Sequence, residues 1–255
     1  MADLNVMRAQ AGVPPVRKLS RRLNSGCRLH NRYMGRTGEF GHYQRRTSTY
    51  YTRAGARAAA ASVISQPSAL PSAAWGDTVY HRLALLQPRL RTTGYSASNG
   101  YACLQVLRGI SRSSAARLGQ PAVYPWPGNL TTGHDPVFDG AEMPDPFSDA
   151  PGASELGTPI TVSVNGPWKS WQLVRSNVTA ATLVSDAGQS IPLSISDMSA
   201  ANAAFLQGGF SLSPRRGLDP VTWYTATASG TLNYGGRSWP FSASTRFQTG
   251  YDDAW

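Results

Sequence analysis

The side chains of this 255-residue chain best suited to proton transfer or metal ligation near neutral pH are its four histidines, His30, His42, His81 and His134. His81 stands in AWGDTVYHRLALLQPRLRTTG, six residues after Trp75 and directly before Arg82, and Asp77 is the one acid near it in sequence. His42 stands in GEFGHYQ, with Glu39 ahead of it and Gln44 behind. An imidazole is a good zinc ligand, but a catalytic zinc usually keeps three protein ligands and a water. A histidine in a packed turn is as often a hydrogen-bonded core group. His30 lies among arginines and reads as a surface or half-buried side chain; His134, beside Asp135, reads as part of a solvated loop. Trp75 reads as a core anchor, with ligand stacking as the alternative. Cys27 and Cys103 can form one disulfide or stand as two buried thiols. There is no G-x-S-x-G elbow, no Walker A loop, no G-x-G-x-x-G after a strand and no C-x-x-C zinc spacing, so the common nucleophile, nucleotide and zinc-finger chemistries are not indicated.

The elements that must carry these residues change character along the chain. Helical spacing is expected over residues 1–11, ended by Gly12 and VPPV, and from Lys18 to Met34, where Leu19, Leu23 and Cys27 form an apolar stripe. TRAGARAAAASVIS reads as an alanine-rich helix, and a further helix is expected at about 73–80. RTTGYSAS and YACLQVLRG read as two strands joined by an Asn99-Gly100 turn. Residues 125–157 contain many prolines and acids and no strand or helix period, and read as an extended linker, partly docked rather than a free coil. From Thr158 the pattern becomes seven short strands: PITVSV, WQLV, ATLVS, IPLSIS, GGFSLSP, TWYTATASGTL and SWPFSASTRFQT, with turns at DAGQ and NYGG. The expected division is therefore 1–124, 125–157 and 158–250, an α+β chain that ends in an all-β sandwich.

Charge divides the chain in the same way. Residues 1–124 hold 18 Arg and Lys against three acids, a net +15, and residues 125–255 carry −5. Seven cations fall between Arg17 and Arg36; a solvated arginine face is the commoner reading of such a run, and the density also admits binding to a polyanion, either nucleic acid or an envelope polymer, although no nucleic-acid-binding motif accompanies it. No run of about 18 apolar residues exists to cross a membrane. The opening MADLNVMRAQAGVPPV shows no basic and then apolar signal-peptide pattern.

LNVMRAQAGVPPV, SGCRLHNRYM, GEFGHYQ, YYTRAGARAA, WGDTVYHRLALLQPRLRTTGY and YACLQV, in that order over residues 4–108, resemble bacterial members of the CAP superfamily (SCP/TAPS; the cysteine-rich secretory, antigen 5 and pathogenesis-related proteins). The ending with Pro214, Leu218, Pro220, Tyr224, Gly230 and Phe247–Thr249 resembles a bacterial Ig-like domain, and GAEMPDP resembles the segment that joins the two modules. The first resemblance implies an N-terminal α-β-α sandwich with a surface cleft holding two histidines and two glutamates, sometimes with a divalent metal such as zinc. It places His42 and His81 as the cleft pair, with Gln44, Trp75 and Asp77 lining it. The family's Gly-Glu-Asn is here at best Gly55-Ala56-Arg57, so its carboxylate is missing. Export to the extracellular space or cell envelope is implied, and in an exported chain Cys27 and Cys103 are expected to form a disulfide. The function expected is binding or adhesion toward a small molecule, lipid or sterol, or an envelope component. The alternatives are a hydrolase using a metal on His42 and His81, and polyanion binding by the Arg-rich first domain; no specific nucleic acid partner is expected.

Overall fold

The computed structural model describes residues 1–138, 142–147 and 156–251. They form a mixed α/β chain of short helices and several sheets, in two compact units. The first comprises Met1–Met7, Pro14–Gly76 and Arg89–Ser111; the second comprises Arg8–Val13, Asp77–Pro88 and Arg112–Trp255.

The first unit is built on the helix Arg21–Thr37. Ser20 caps its start by accepting from Leu23 N–H, and Gly38, at φ 71°, ends it in the left-handed conformation that glycine adopts without strain. This is three residues later at each end than the sequence spacing predicts. Lys18 and Leu19 are drawn out into a two-residue parallel bridge with Thr92 and Thr93, and the helix runs on through Gly35. Its buried face carries Gly26, Cys27, His30, Asn31, Tyr33 and Met34.

That face lies on a three-stranded antiparallel sheet in the order Ser62–Ser65, Tyr101–Gln105, Tyr95–Ser98. The expected Asn99-Gly100 turn joins the last two in sequence, with both residues at positive φ (55° and 80°). Every residue of the central strand is buried, and Cys103 on it is disulfide-bonded to Cys27, Cα to Cα 5.4 Å. The alanine-rich helix is shorter than predicted. It covers Arg53–Ala59 alone, and Val63 and Ile64 pair with Leu104 and Cys103 instead, because β-branched side chains pack better on a pleated surface than on a helix.

In the second unit two four-stranded sheets share one apolar core. The order of one is Leu193–Ser196, Phe210–Pro214, Ile160–Asn165, Ala122–Trp126; of the other, Arg175–Ser185, Trp223–Tyr234, Arg237–Thr249, Thr131–His134. Ile160, Val162, Phe210 and Leu212 from the first meet Leu183, Tyr224, Ala226 and Phe247 from the second. Six of the seven predicted strand segments are strands; WQLV forms a short 3-10 turn, Trp171–Leu173.

The described parts of 125–157 pair with other strands. Ala122–Trp126 pairs along Ile160–Asn165, Thr131–His134 runs parallel beside Arg237–Thr249, and Val137–Phe138 pairs with Leu156–Gly157. Backbone hydrogen bonding to existing strands overrides a composition that lacks strand periodicity. Residues 139–141 and 148–155 of that predicted linker lie outside the described residues.

Candidate functional site

The site is centred on the short helix Tyr80–Leu85 of the second unit. Its start carries no side-chain cap of its own. Glu142, from 61 residues further along, takes that place. Its Oε2 accepts from the backbone N–H groups of Val79 (2.7 Å) and Tyr80 (3.0 Å), and its Oε1 accepts from that of His81 (2.8 Å). The same Oε1 lies 2.5 Å from His81 Nδ1. Three N–H groups at the helix start and one imidazole thus converge on a carboxylate that is 3% exposed. Phe138 and Phe147, on either side of Glu142 in sequence, pack with Val79, Tyr80 and Leu83 and hold the two segments together.

The electrostatics favour an ionised carboxylate. Burial pushes the pKa of Glu142 up, but the hydrogen bond and charge of His81 and the N–H groups of His81 and Tyr80 outweigh it and leave the value lowered. Nδ1 is the ring nitrogen beside the carboxylate, which leaves Nε2 as the other polar atom of the His81 ring. Nearly a fifth of the His81 side chain is exposed (18%), while Nδ1 itself is buried, so the open edge of the ring is the Nε2 side. Arg82, fully buried, donates through Nε to Thr161 Oγ1 (3.1 Å) and through Nη2 to the carbonyl of Pro159. Burial lowers its pKa to about 10, while the charges of Asp77 and Glu142 pull the other way, so it stays a cation at neutral pH.

His42 and Gln44 lie in the first unit. His42 is exposed and its Nδ1 donates to the carbonyl of Ala59 (3.0 Å). Gln44 is buried; its Oε1 accepts from Thr52 N–H (3.0 Å) and its Nε2 donates to His30 Nδ1 (3.4 Å), while His30 Nε2 donates to Gly41 O (3.0 Å). Gly55 is needed beneath this network, because a Cβ there would stand 2.4 Å from Gln44 Nε2. Tyr33 donates its hydroxyl to Glu39, which also pairs with Arg45 (2.8 Å). These bonds hold the loop after the long helix in place.

Two expectations are corrected. His30 is neither on the surface nor half-buried: it is fully buried, and desolvation, with a smaller push from His42 against the Gly41 carbonyl, lowers its pKa to about 4. The spacing that decides this was legible, since His30 follows Cys27 by three residues and precedes Tyr33 and Met34 by three and four, all on one helical face. His134 is not in a solvated loop. It sits on the strand Thr131–His134 with its ring edge-on to Trp126 and Phe247, and burial, aided by Arg82, lowers its pKa to about 4. Trp75 is a core anchor, buried and donating to Ile64 O (3.1 Å), and Asp77 is exposed. His42 belongs to the first unit, and His81 and Asp77 to the second.

Glu142 was not singled out by sequence reasoning. Its only signal was its place in GAEMPDP, 61 positions from His81. Among the described residues no group of three or more His, Cys, Asp or Glu side chains stands together to hold a metal ion. The described residues therefore do not fit the divalent metal that the resemblance implies, and the chemistry open to the site is that of the imidazole and carboxylate. No described helix is long and apolar enough to cross a membrane.

Residues 1–107 match the family model described as CAP, the cysteine-rich secretory protein family. The match includes His30, His42 and His81 and ends before Glu142. No match was found among curated proteins.

Proposed function

Starting from the CAP domain in residues 1–107, we propose that the chain is an exported binding protein that holds a small hydroxyl-bearing ligand, a lipid or sterol, at the imidazole of His81. The observation that carries this reading is the grip of Glu142 on His81 Nδ1 and on three N–H groups of the same helix. A carboxylate on one imidazole nitrogen fixes the ring's orientation and tautomer, so the other nitrogen is an aimed acceptor for a ligand O–H. The Cys27–Cys103 disulfide supports export, because such bonds persist in oxidising compartments.

The second unit is read as an Ig-like sandwich carrying the site. Its two sheets with one core support this, as does buried Tyr224, whose hydroxyl accepts from Asp219 N–H (2.8 Å), five residues upstream. That bond has the form of the tyrosine corner found in such sandwiches.

Titration calorimetry with sterol and fatty-acid probes tests the reading. His81→Ala is expected to weaken binding roughly 3- to 10-fold, the worth of one hydrogen bond, with the fold retained. Equal binding by wild type and variant, or no binding of any probe by the wild type, would remove it. A histidine oriented by a carboxylate is also the general-base half of a hydrolytic triad. Turnover of an activated ester that His81→Ala abolishes would favour that second reading.

A further inference from the structure

The helix Arg21–Thr37 has a second face. At 100° per residue, Arg21, Arg28, Arg32 and Arg36 fall within an arc of about 80°, opposite the buried residues Cys27, His30 and Met34, and they span about 22 Å along the axis. All four are exposed. The first unit holds 14 Arg and Lys but only two acids, Asp3 and Glu39. Both acids are engaged elsewhere: Asp3 accepts from Ser72 N–H and Oγ–H, and Glu39 pairs with Tyr33 and Arg45. Among the described residues no carboxylate forms an ion pair with the stripe; the contact found for it is Arg36 over the Tyr50 ring, 5.9 Å from the centroid.

The stripe works against its own helix. Arg28–Arg32 and Arg32–Arg36 are like-charged pairs at i, i+4, which repel. Arg21 and Arg22 occupy the first turn, with no acid there, at the end of the helix dipole that favours negative charge. A row of cations that breaks the local rules for a stable helix, with no internal anion to relieve it, has the character of a surface kept for an external one.

We propose that this arginine stripe is a docking surface for a linear polyphosphodiester of the cell surface. The choice of a single flexible chain follows from the shape. The cations form one straight row on a convex helix, with successive rises of about 6 Å from Arg28 to Arg36, the scale of phosphate repeats along an extended chain. The exposed arc bears no apolar side chain to enter a bilayer, which amphipathic membrane helices require. The cell-surface source rests on the export reading above; the binding itself can be measured without it.

Fluorescence anisotropy of the full chain with labelled poly(glycerol phosphate) tests the proposal. Binding is expected to weaken with salt, log K against log[salt] falling with a slope of roughly −3 for four contacts. The Arg21→Gln/Arg28→Gln/Arg32→Gln/Arg36→Gln variant is expected to lose affinity at least ten-fold. Arg215→Gln/Arg237→Gln, in the second unit, is expected to bind as the wild type does. Circular dichroism checks that both variants fold; should the quadruple variant not fold, Arg28→Gln/Arg32→Gln replaces it, with about half the salt slope expected. No binding at low salt, undiminished binding by the stripe variants, or tighter binding to duplex DNA of equal charge or to phosphatidylglycerol vesicles would overturn it. Loss of sterol binding in His81→Ala leaves this result untouched, so the two readings fail separately.

Discussion

At the scale of single residues, burial has shifted two histidines the same way. His30 and His134 have lost the water that would stabilise their charged forms, and both values fall to about 4. A histidine whose folded value lies below its unfolded one stabilises the fold above about pH 6.5, and that contribution is lost as pH falls toward 4. For His30, which is fully buried, the loss on acidification is expected to be roughly 3 kcal/mol. Urea unfolding between pH 7 and 4, compared with His30→Gln, measures it, and the ring resonances of His30 should titrate near pH 4. Glu142 acts lower on the scale. Its folded value is depressed, so its contribution is present above the unfolded value near 4.5 and disappears as pH falls through the folded one. Glu142→Gln keeps the shape but loses the charge that the N–H groups and imidazole hold. It is expected to cost about 2 kcal/mol at pH 7 and to flatten the acid limb of the stability curve below pH 4.5. Of these residues, the burial of His30 could be read from its helical spacing. The partnership of Glu142 with His81 could not, because a carboxylate reaching a helix start from 61 positions away leaves no periodic trace.

At the scale of elements, local pattern and long-range pairing compete. The strands from Ile160 onward alternate strongly and were readable, and so was the Asn99-Gly100 turn, because glycine and asparagine tolerate positive φ. Ala122–Trp126 contains a proline and Thr131–His134 a glycine, so neither has a strand signature; each is a strand because a neighbour's backbone groups are waiting for it. The helix Arg21–Thr37 depends on close approach to the sheet. A Cβ on Gly94 would lie 2.4 Å from the Leu23 carbonyl carbon and 2.5 Å from Asn24 N, so Gly94→Ala must push the two apart. A loss of about 2 kcal/mol in urea unfolding is expected. The Cys27–Cys103 bond ties the same pair of elements across a sequence separation of 76. In the chain-entropy account its removal by Cys27→Ser/Cys103→Ser costs about 4 kcal/mol, measurable as a fall in the urea midpoint.

At the scale of the whole molecule, the chain carries a net charge of +10, concentrated in its first unit. Self-repulsion there should make salt stabilising: raising sodium chloride from 10 to 200 mM is expected to raise the melting temperature by a few degrees, where a charge-balanced domain would change little. The Arg→Gln stripe variant should show a smaller rise, measured by calorimetry. The second unit is also assembled from separated stretches of sequence, with Asp77–Pro88 lying inside the span of the family match. A gene that stopped at codon 124 would still encode Arg82 but neither Thr161 nor the Pro159 carbonyl that its guanidinium bonds, and it would leave the Tyr80–Leu85 helix without its carboxylate. Residues on the two sides of position 124 are thus held by one shared set of bonds, and a truncation there would strand a buried guanidinium.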